Sequence, residues 1–309
     1  MADRLLVLGW HNADSTPFFR SRPGACARGL ARQLAALARF TNVVPLDTSL
    51  AALAKGRPLP PRSVALTFDD GYRDNLEIAS PMLARLGLPA TFYLVPGLLD
   101  RTIRPWWEVL AWALAEATRT NVEWRGRVLP TGSDPPARTA LNALAEELKG
   151  LDATARDAAI DALIDDLRPR GSEDEVRELF LDWPRARILA GGAAVGSHTM
   201  KHAILSREPP DEQMLDLRES REQLEAGLGV RVATLAYPNG TARDYDAATL
   251  AAARAAGYRG AVTTIDGWNE RSTPRLELRR FVIDPVRGID GLRGVVRSPG
   301  IVAFVRGRR

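Results

Sequence analysis

Val64-Ala65-Leu66-Thr67-Phe68-Asp69-Asp70-Gly71-Tyr72 is an apolar run that breaks on two carboxylates and a glycine. A short run of apolar and β-branched residues without alternation marks a strand buried on both faces, the habit of parallel sheets. The same grammar recurs along the chain. Residues 5–8 end on Gly9-Trp10-His11-Asn12, residues 193–196 on Ser197-His198, and residues 232–236 on Tyr237-Pro238-Asn239-Gly240. Residues 90–94, 260–264 and 278–283 read as further strands. Helical patterns lie between them at 28–40, 75–86, 183–190, 211–226 and 246–256. This alternation predicts an α/β fold built on a parallel barrel, complete or not, with functional residues at the carboxyl ends of the strands.

The stretch 101–180 departs from the alternation. It opens on Pro105-Trp106-Trp107 and carries a hairpin pattern at 122–129 around Arg125-Gly126-Arg127, then helical segments at 137–148 and 153–167. The expectation is one barrel domain over 1–309 with an inserted hairpin and helical segment at about 101–180, acting as lid or flank. Trp106, Trp107, Trp112 and Trp124 suit a satellite core better than a sugar platform, because burial is the commoner use of aromatics.

With 309 residues, 45% apolar and 26% charged, the chain is neither disordered, collagenous nor coiled coil as a whole. Cys26 is the single cysteine, so no intramolecular disulfide forms and a reducing compartment is compatible. The apolar run at 5–9 is too short for a signal-peptide core, and no stretch approaches the length of a membrane span. The expectation is a cytoplasmic protein, or one at the cytoplasmic face of a membrane. Lysine occurs only at 55, 149 and 201, so the +4 charge rests on arginines interleaved with acids. That is an ordinary solvated surface with no nucleic-acid signature. The basic tail Arg306-Gly307-Arg308-Arg309 is the one stretch suited to peripheral contact with anionic lipid, against the commoner reading of a frayed end. Oligomeric state is not legible.

Adjacent carboxylates repel, and in a regular strand they face opposite sides. Where the chain turns at Gly71, Asp69 and Asp70 can enter one cavity, and a cation there lets them divide roles, one as ligand and one as proton acceptor. Taken alone, Asp-Asp-Gly is also common turn chemistry. His198 and His202 stand at i and i+4, on one face if that segment is helical. Such a pair is often structural, but this chain has only three histidines and two of them follow one strand. Two imidazoles and one carboxylate, with positions left for water and substrate, suit one divalent cation: Zn²⁺ first, then Fe²⁺, Co²⁺ or Ni²⁺. The third histidine, His11, ends the first strand on the same rim. It reads either as a functional group or as a partly buried imidazole bonded to a carbonyl.

In their order, Thr-Phe-Asp-Asp-Gly-Tyr (67–72), Ser-His-Thr-x-x-His (197–202) and Tyr-Pro-x-Gly (237–240) resemble the polysaccharide deacetylases with the NodB homology domain, carbohydrate esterase family 4. Outside the insertion the resemblance runs from about residue 5 to 283. It implies a distorted (β/α)₇ barrel that removes N-acetyl groups from amino sugars. It implies Asp69 as catalytic base, Asp70, His198 and His202 as metal ligands, and the Tyr237 backbone N–H as an oxyanion donor with Pro238 shaping the loop. Two departures stand out. The third motif lacks the arginine that orients the base in many members, and no histidine follows His202 to serve as a late general acid. The sequence is similar to the poly-N-acetylglucosamine deacetylase branch, which places a Tyr-His pair on the first strand. Trp10-His11 occupies that place, which assigns the acid to His11 and substrate contact to Trp10. Asn239 joins Pro238 as a substrate-contacting residue, and Arg279 or Arg280, with Arg280 favoured, stands in for the missing arginine beside the substrate.

The expected partner is therefore an acetylated amino sugar, free or carried on a nucleotide, lipid or oligosaccharide. The alternatives are a related hydrolase of non-peptide C–N bonds and a silent carbohydrate-binding barrel. A Mg²⁺-dependent phosphatase on Asp69-Asp70 ranks below them, because these adjacent carboxylates lack the usual Asp-x-Asp nucleophile spacing and imidazoles suit Zn²⁺ better than Mg²⁺.

Overall fold

The structure, a computed structural model, describes residues 4–18 and 26–283, together with Leu292, Gly294 and Val296. The basic tail at 306–309 lies outside the described residues. In chain order the elements are β1 (Leu5–Trp10), α1 (Ala27–Phe40), β2 (Asn42–Val43), α2 (Leu46–Ala54) and β3 (Ser63–Phe68). A π-helical turn (Asn75–Ala79) leads into α3 (Ser80–Leu86), then β4 (Ala90–Leu94) and α4 (Pro96–Leu99). Next come α5 (Trp106–Ala115), β5 (Asn121–Trp124), β6 (Arg127–Pro130), α6 (Pro135–Lys149), α7 (Ala153–Leu167) and α8 (Asp174–Arg177). The chain continues through α9 (Trp183–Ala190), β7 (Ala194–Ser197), α10 (Pro210–Leu228), β8 (Thr234–Ala236), α11 (Ala247–Ala255), β9 (Gly260–Val262) and β10 (Phe281–Val282).

Two compact units emerge, one of residues 4–14, 26–100 and 181–283, the other of 15–18 and 101–180. In the first, parallel strands run in the order β10-β1-β3-β4-β7-β8-β9, with β2 paired beside β3. The Ala261 and Thr263 N–H groups bond to the Arg275 and Leu278 carbonyls, both at 2.8 Å, so the segment leading to β10 also borders β9. The result is the distorted seven-stranded (β/α) barrel.

Strand pleating sorts the side chains. Leu6, Leu8 and Trp10 of β1 join Leu66, Phe68 and Phe92 in the layer under the helices, where α1 buries Leu30, Leu34 and Leu37. Each such leucine contributes about 1.5–3 kcal/mol of burial. Leu5 and Val7 face the interior with Ala65, Tyr93, Ala236 and Val262, and α2 plugs that interior with Leu46, Leu50 and Leu53. Helix α2 is absent from the sequence reading. The last three strands, β8, β9 and β10, are shorter than their apolar runs suggest, and β10 spans only Phe281–Val282.

The second unit has its own core, centred on Val109, Leu110, Leu144, Leu148, Ile160 and Leu163. Trp106 and Trp112 are buried in it, with Trp107 and Trp124 packed against it. Two of the indole N–H groups have partners: Trp112 donates to the Arg170 carbonyl at 3.1 Å and Trp124 to Glu147 at 2.8 Å. Among the described residues no helix is long and apolar enough to cross a membrane.

Candidate active site

Asp70 follows β3 in the left-handed region at φ 71°, and Gly71 repeats that conformation at φ 71°. Aspartate tolerates it better than most residues, at a cost of about 1 kcal/mol, and the two successive turns rotate Asp70 off the strand line. A side chain at Gly71 would also press on Leu94, 3.0 Å from the added carbon.

His198 and His202 follow β7, but not on a helix. Residues 198–204 are irregular, with left-handed backbone at Thr199 (φ 66°) and His202 (φ 54°). The expectation of one helical face is corrected: a tight loop folds His202 back over His198, their rings 4.8 Å apart. The Nδ1 of His198 lies 2.7 Å from the Ala236 carbonyl. A carbonyl only accepts, so Nδ1 carries the hydrogen and Nε2 presents its lone pair.

That lone pair faces Asp70 Oδ1 at 3.2 Å, and His202 Nε2 faces the same oxygen at 3.3 Å. Asp70 Oδ1 is buried and accepts no hydrogen bond. The three ligand atoms all lie within 4.8 Å of one another. Tetrahedral bonds of about 2.0–2.1 Å require ligand–ligand edges of about 3.3 Å, which two of these separations match. An orphaned buried oxygen beside two imidazole nitrogens fits a divalent cation in both donor type and spacing.

Electrostatics follow the crowding. Burial would raise the Asp70 carboxyl, yet the imidazoles of His198 and His202 carry it well below the usual carboxylate range. Burial would lower both imidazoles. At His198 the carboxylates of Asp70 and Asp69 outweigh it and raise the group, whereas at His202 burial prevails.

Asp69 is buried close enough to His198 to act on it electrostatically, and it has a partner of its own. Arg280 grips it bidentately, Nη1 to Oδ1 and Nη2 to Oδ2, both at 2.7 Å. The guanidinium also donates to Thr67 Oγ1 at 3.2 Å and to the Thr263 carbonyl at 3.1 Å. Gly9 leaves the path open, because a side-chain carbon there would meet the Arg280 Cδ at 3.0 Å. Burial alone would raise the Asp69 carboxyl, but the Arg280 charge and hydrogen bonds hold it below the ordinary value. Of the two arginines expected to stand in for the missing one, Arg280 is the one that pairs with Asp69. Its expected substrate contact is corrected, because the side chain is wholly enclosed and spent on Asp69. Arg279, its neighbour in the segment leading to β10, is exposed.

His11 sits exposed on the rim after β1, near enough to act electrostatically on Asp69, Asp70 and His202. Its loop is pinned by residues the sequence reading missed. Asp74 Oδ2 accepts the Ala13 and Asp14 N–H groups, each at 2.8 Å, and Asn75 donates to the His11 carbonyl at 2.9 Å. Asp216 of α10 does the same for the histidine loop, accepting the Met200 N–H at 2.7 Å with the Lys201 N–H alongside. Burial pushes both carboxyls up to about 6. The Asp74-Asn75 pair was visible just beyond Tyr72, whereas Asp216 lies in an amphipathic helix among many acids and gave no signal.

Other expectations are overturned. Trp10 shares the outward face of β1 with Leu6 and Leu8. Its ring is buried, stacks on Phe68 at 5.4 Å and donates to Gln33 at 3.0 Å, so it does not touch substrate. Tyr237 offers no open oxyanion donor. Its N–H goes to the Val262 carbonyl at 3.2 Å, its ring stacks on Tyr245, and its hydroxyl donates to the Leu276 carbonyl at 2.9 Å. Pro238 is buried, and Asn239 (φ 56°) closes a turn whose carbonyl accepts the Thr264 hydroxyl at 2.6 Å. Both residues shape backbone beside β9.

A family model described as polysaccharide deacetylase matches residues 56–122 and 185–261. The matched blocks hold Asp69, Asp70, His198 and His202, while His11 and Arg280 fall outside them. The Bacillus subtilis (strain 168) protein YxkH, whose name assigns it to the polysaccharide deacetylases, is 20% identical over 80% of this chain, which spans 60% of that relative's length. Among solved structures, the Streptococcus pyogenes deacetylase PplD in complex with acetate aligns at TM-score 0.64 and 17% identity, covering 96% of this chain and 99% of that one. A de-N-acetylase from Aggregatibacter actinomycetemcomitans follows at 0.59 and 17%, covering 94% and 99%. IcaB from Ammonifex degensii aligns at 0.57 and 18%, covering 96% of each chain. At these identities the structural likeness speaks to the fold alone.

Proposed function

Because this chain belongs to the polysaccharide deacetylase family, we propose that it is a metal-dependent N-deacetylase acting on an acetamido sugar of the N-acetylglucosamine type. One observation carries the reading: Asp70, His198 and His202 converge on one point, beside a second carboxylate, Asp69, clamped by a buried guanidinium.

Asp70, His198 and His202 would hold one divalent cation, Zn²⁺ best matching the donor set and Co²⁺, Ni²⁺ or Fe²⁺ also suiting it. When bound, the cation supplies a Lewis acid that acidifies water and polarises the amide carbonyl. Asp69 takes the proton from the attacking water. Arg280 keeps it ionised across the neutral range and fixes both oxygens, so the base meets the water in one orientation. His11, as imidazolium, protonates the departing nitrogen as the C–N bond breaks. Water is consumed, acetate and a free amine leave, and the proton gained by Asp69 balances the one given by His11. Tyr237 takes no part in this scheme.

The test is acetate release from N-acetylglucosamine oligomers by the Zn²⁺-loaded protein. Acetate should appear with the wild type and vanish in His198→Ala. A protein that binds metal and oligomer yet releases no acetate would instead be a carbohydrate-binding barrel.

A further inference from the structure

A second concavity lies at the other end of the same strands. Its volume is about 830 Å³. It is walled by Leu50, Ala51 and Ala54 of α2, Ala233 before β8, Leu250 of α11 and Leu276. Ala233 and Arg259 precede their strands, whereas the candidate catalytic residues follow theirs, so the two places lie at opposite mouths of the barrel unit.

The rim is basic. Lys55, Arg231, Arg254, Arg259 and Arg275 line it, against two acids, Asp47 and Glu277. Those acids already have partners: Asp47 accepts the Thr48 N–H at 2.7 Å and Glu277 the Tyr245 hydroxyl at 3.3 Å. Among the described residues none of the five cations forms an ion pair, although arginines elsewhere, such as Arg104 and Arg280, do. Five cations against two carboxylates leave the cleft locally positive. A cleft lined by one sign of charge focuses its field and draws counter-ions.

We propose that this groove binds a phosphate-bearing amphiphile, with its phosphate on the arginine rim and its apolar body along the α2 and α11 wall. Several guanidinium forks suit a phosphate, whose oxygens accept many N–H donors at once, better than a single carboxylate. The volume argues for a body attached to the phosphate, because a lone hydrated ion would leave most of the alanine and leucine wall uncovered. Pockets of this size typically enclose a small organic ligand. The proposal is independent of the deacetylase reading, since none of its residues touches Asp69, Asp70, His198, His202 or His11.

The experiment is calorimetric titration of the full chain with hexyl phosphate, inorganic phosphate and hexanol at low salt. Hexyl phosphate should bind saturably at one site, at least ten-fold tighter than either of the others, and more weakly at 0.3 M salt. The triple variant Arg231→Gln, Arg259→Gln, Arg275→Gln should lose at least ten-fold in that affinity while releasing acetate at the wild-type rate. These arginines are exposed, so the fold should survive. Ala54→Glu, which sets a carboxylate on the wall, gives an independent check and should weaken binding similarly. Absence of saturable binding, equal affinity for hexyl and inorganic phosphate, or an unchanged triple variant each overturn the proposal. Binding to phosphatidylglycerol vesicles without binding to soluble hexyl phosphate also overturns it, and would make this face a lipid contact.

Discussion

Arg280 and Asp69 form a buried, bidentate ion pair, and removing one partner of such a pair strands the other charge. Arg280→Met should therefore cost about 3–5 kcal/mol in denaturant unfolding. Arg280→Lys should recover part of the stability but not the fixed orientation of Asp69, so its turnover should stay below wild type at saturating substrate. Asp69→Asn should retain bound metal while turnover falls about 10²–10⁴-fold, the usual general-base contribution. His11→Ala should likewise keep metal and slow turnover, and full activity in that variant would remove His11 from the acid role. The pH dependence has a definite sign. A carboxyl held below its ordinary value of 3.8 contributes stability above that value and loses it as pH falls through the folded pKa. The pair's contribution should hold from pH 7 to about 4 and vanish below, which acid melts of wild type and Arg280→Met would compare. Residue-level legibility stopped at a choice between Arg279 and Arg280. Neighbours in a strand face opposite sides, so one residue of register decides between a solvated arginine and one inside the barrel.

At the scale of elements, three loops bear the chemistry, and two of them hang on carboxylates outside it. Asp74 holds the loop after β1 and Asp216 the loop after β7, through backbone N–H groups. Asp216→Asn keeps one acceptor oxygen and loses the charge. It should weaken metal affinity about 10–100-fold, the range for an outer partner that orients ligands, with little change in unfolding at pH 7. Both carboxyls are raised from 3.8 to about 6. The folded state therefore binds their protons more tightly than the unfolded one, and this contribution falls as pH rises from about 4 to 6, then levels off. Melts across that window should show a shallower slope in Asp216→Asn. The histidine pair was legible from spacing, but its geometry was not. A β-branched threonine seldom adopts positive φ, so Thr199 gave no warning that the loop replaces a helix.

For the whole molecule, strands ending in polar clusters and alternating with helices made the barrel and its mouth readable. Four helices escaped, of which α4 and α8 have only four residues each. Helix α2 has only nine residues, too few to declare a period, and α5, Trp-Trp-Glu-Val-Leu-Ala-Trp-Ala-Leu-Ala, is apolar nearly all round and shows no stripe. The metal triad was readable because three donors, one carboxylate and two imidazoles, follow two strand ends. The clamp on Asp69 and the loop anchors depend on tertiary register and were not. If the triad holds a cation in the folded state alone, chelation should lower the melting temperature, because a ligand at about 1,000 times its Kd adds about 4 kcal/mol. The most direct measurement is the metal content of purified protein after exhaustive dialysis against one equivalent of Zn²⁺, beside Asp70→Ala and Asp69→Asn. One zinc per chain in the wild type and in Asp69→Asn, with none in Asp70→Ala, is the expected result; equal metal in all three would contradict a cation held by Asp70, His198 and His202.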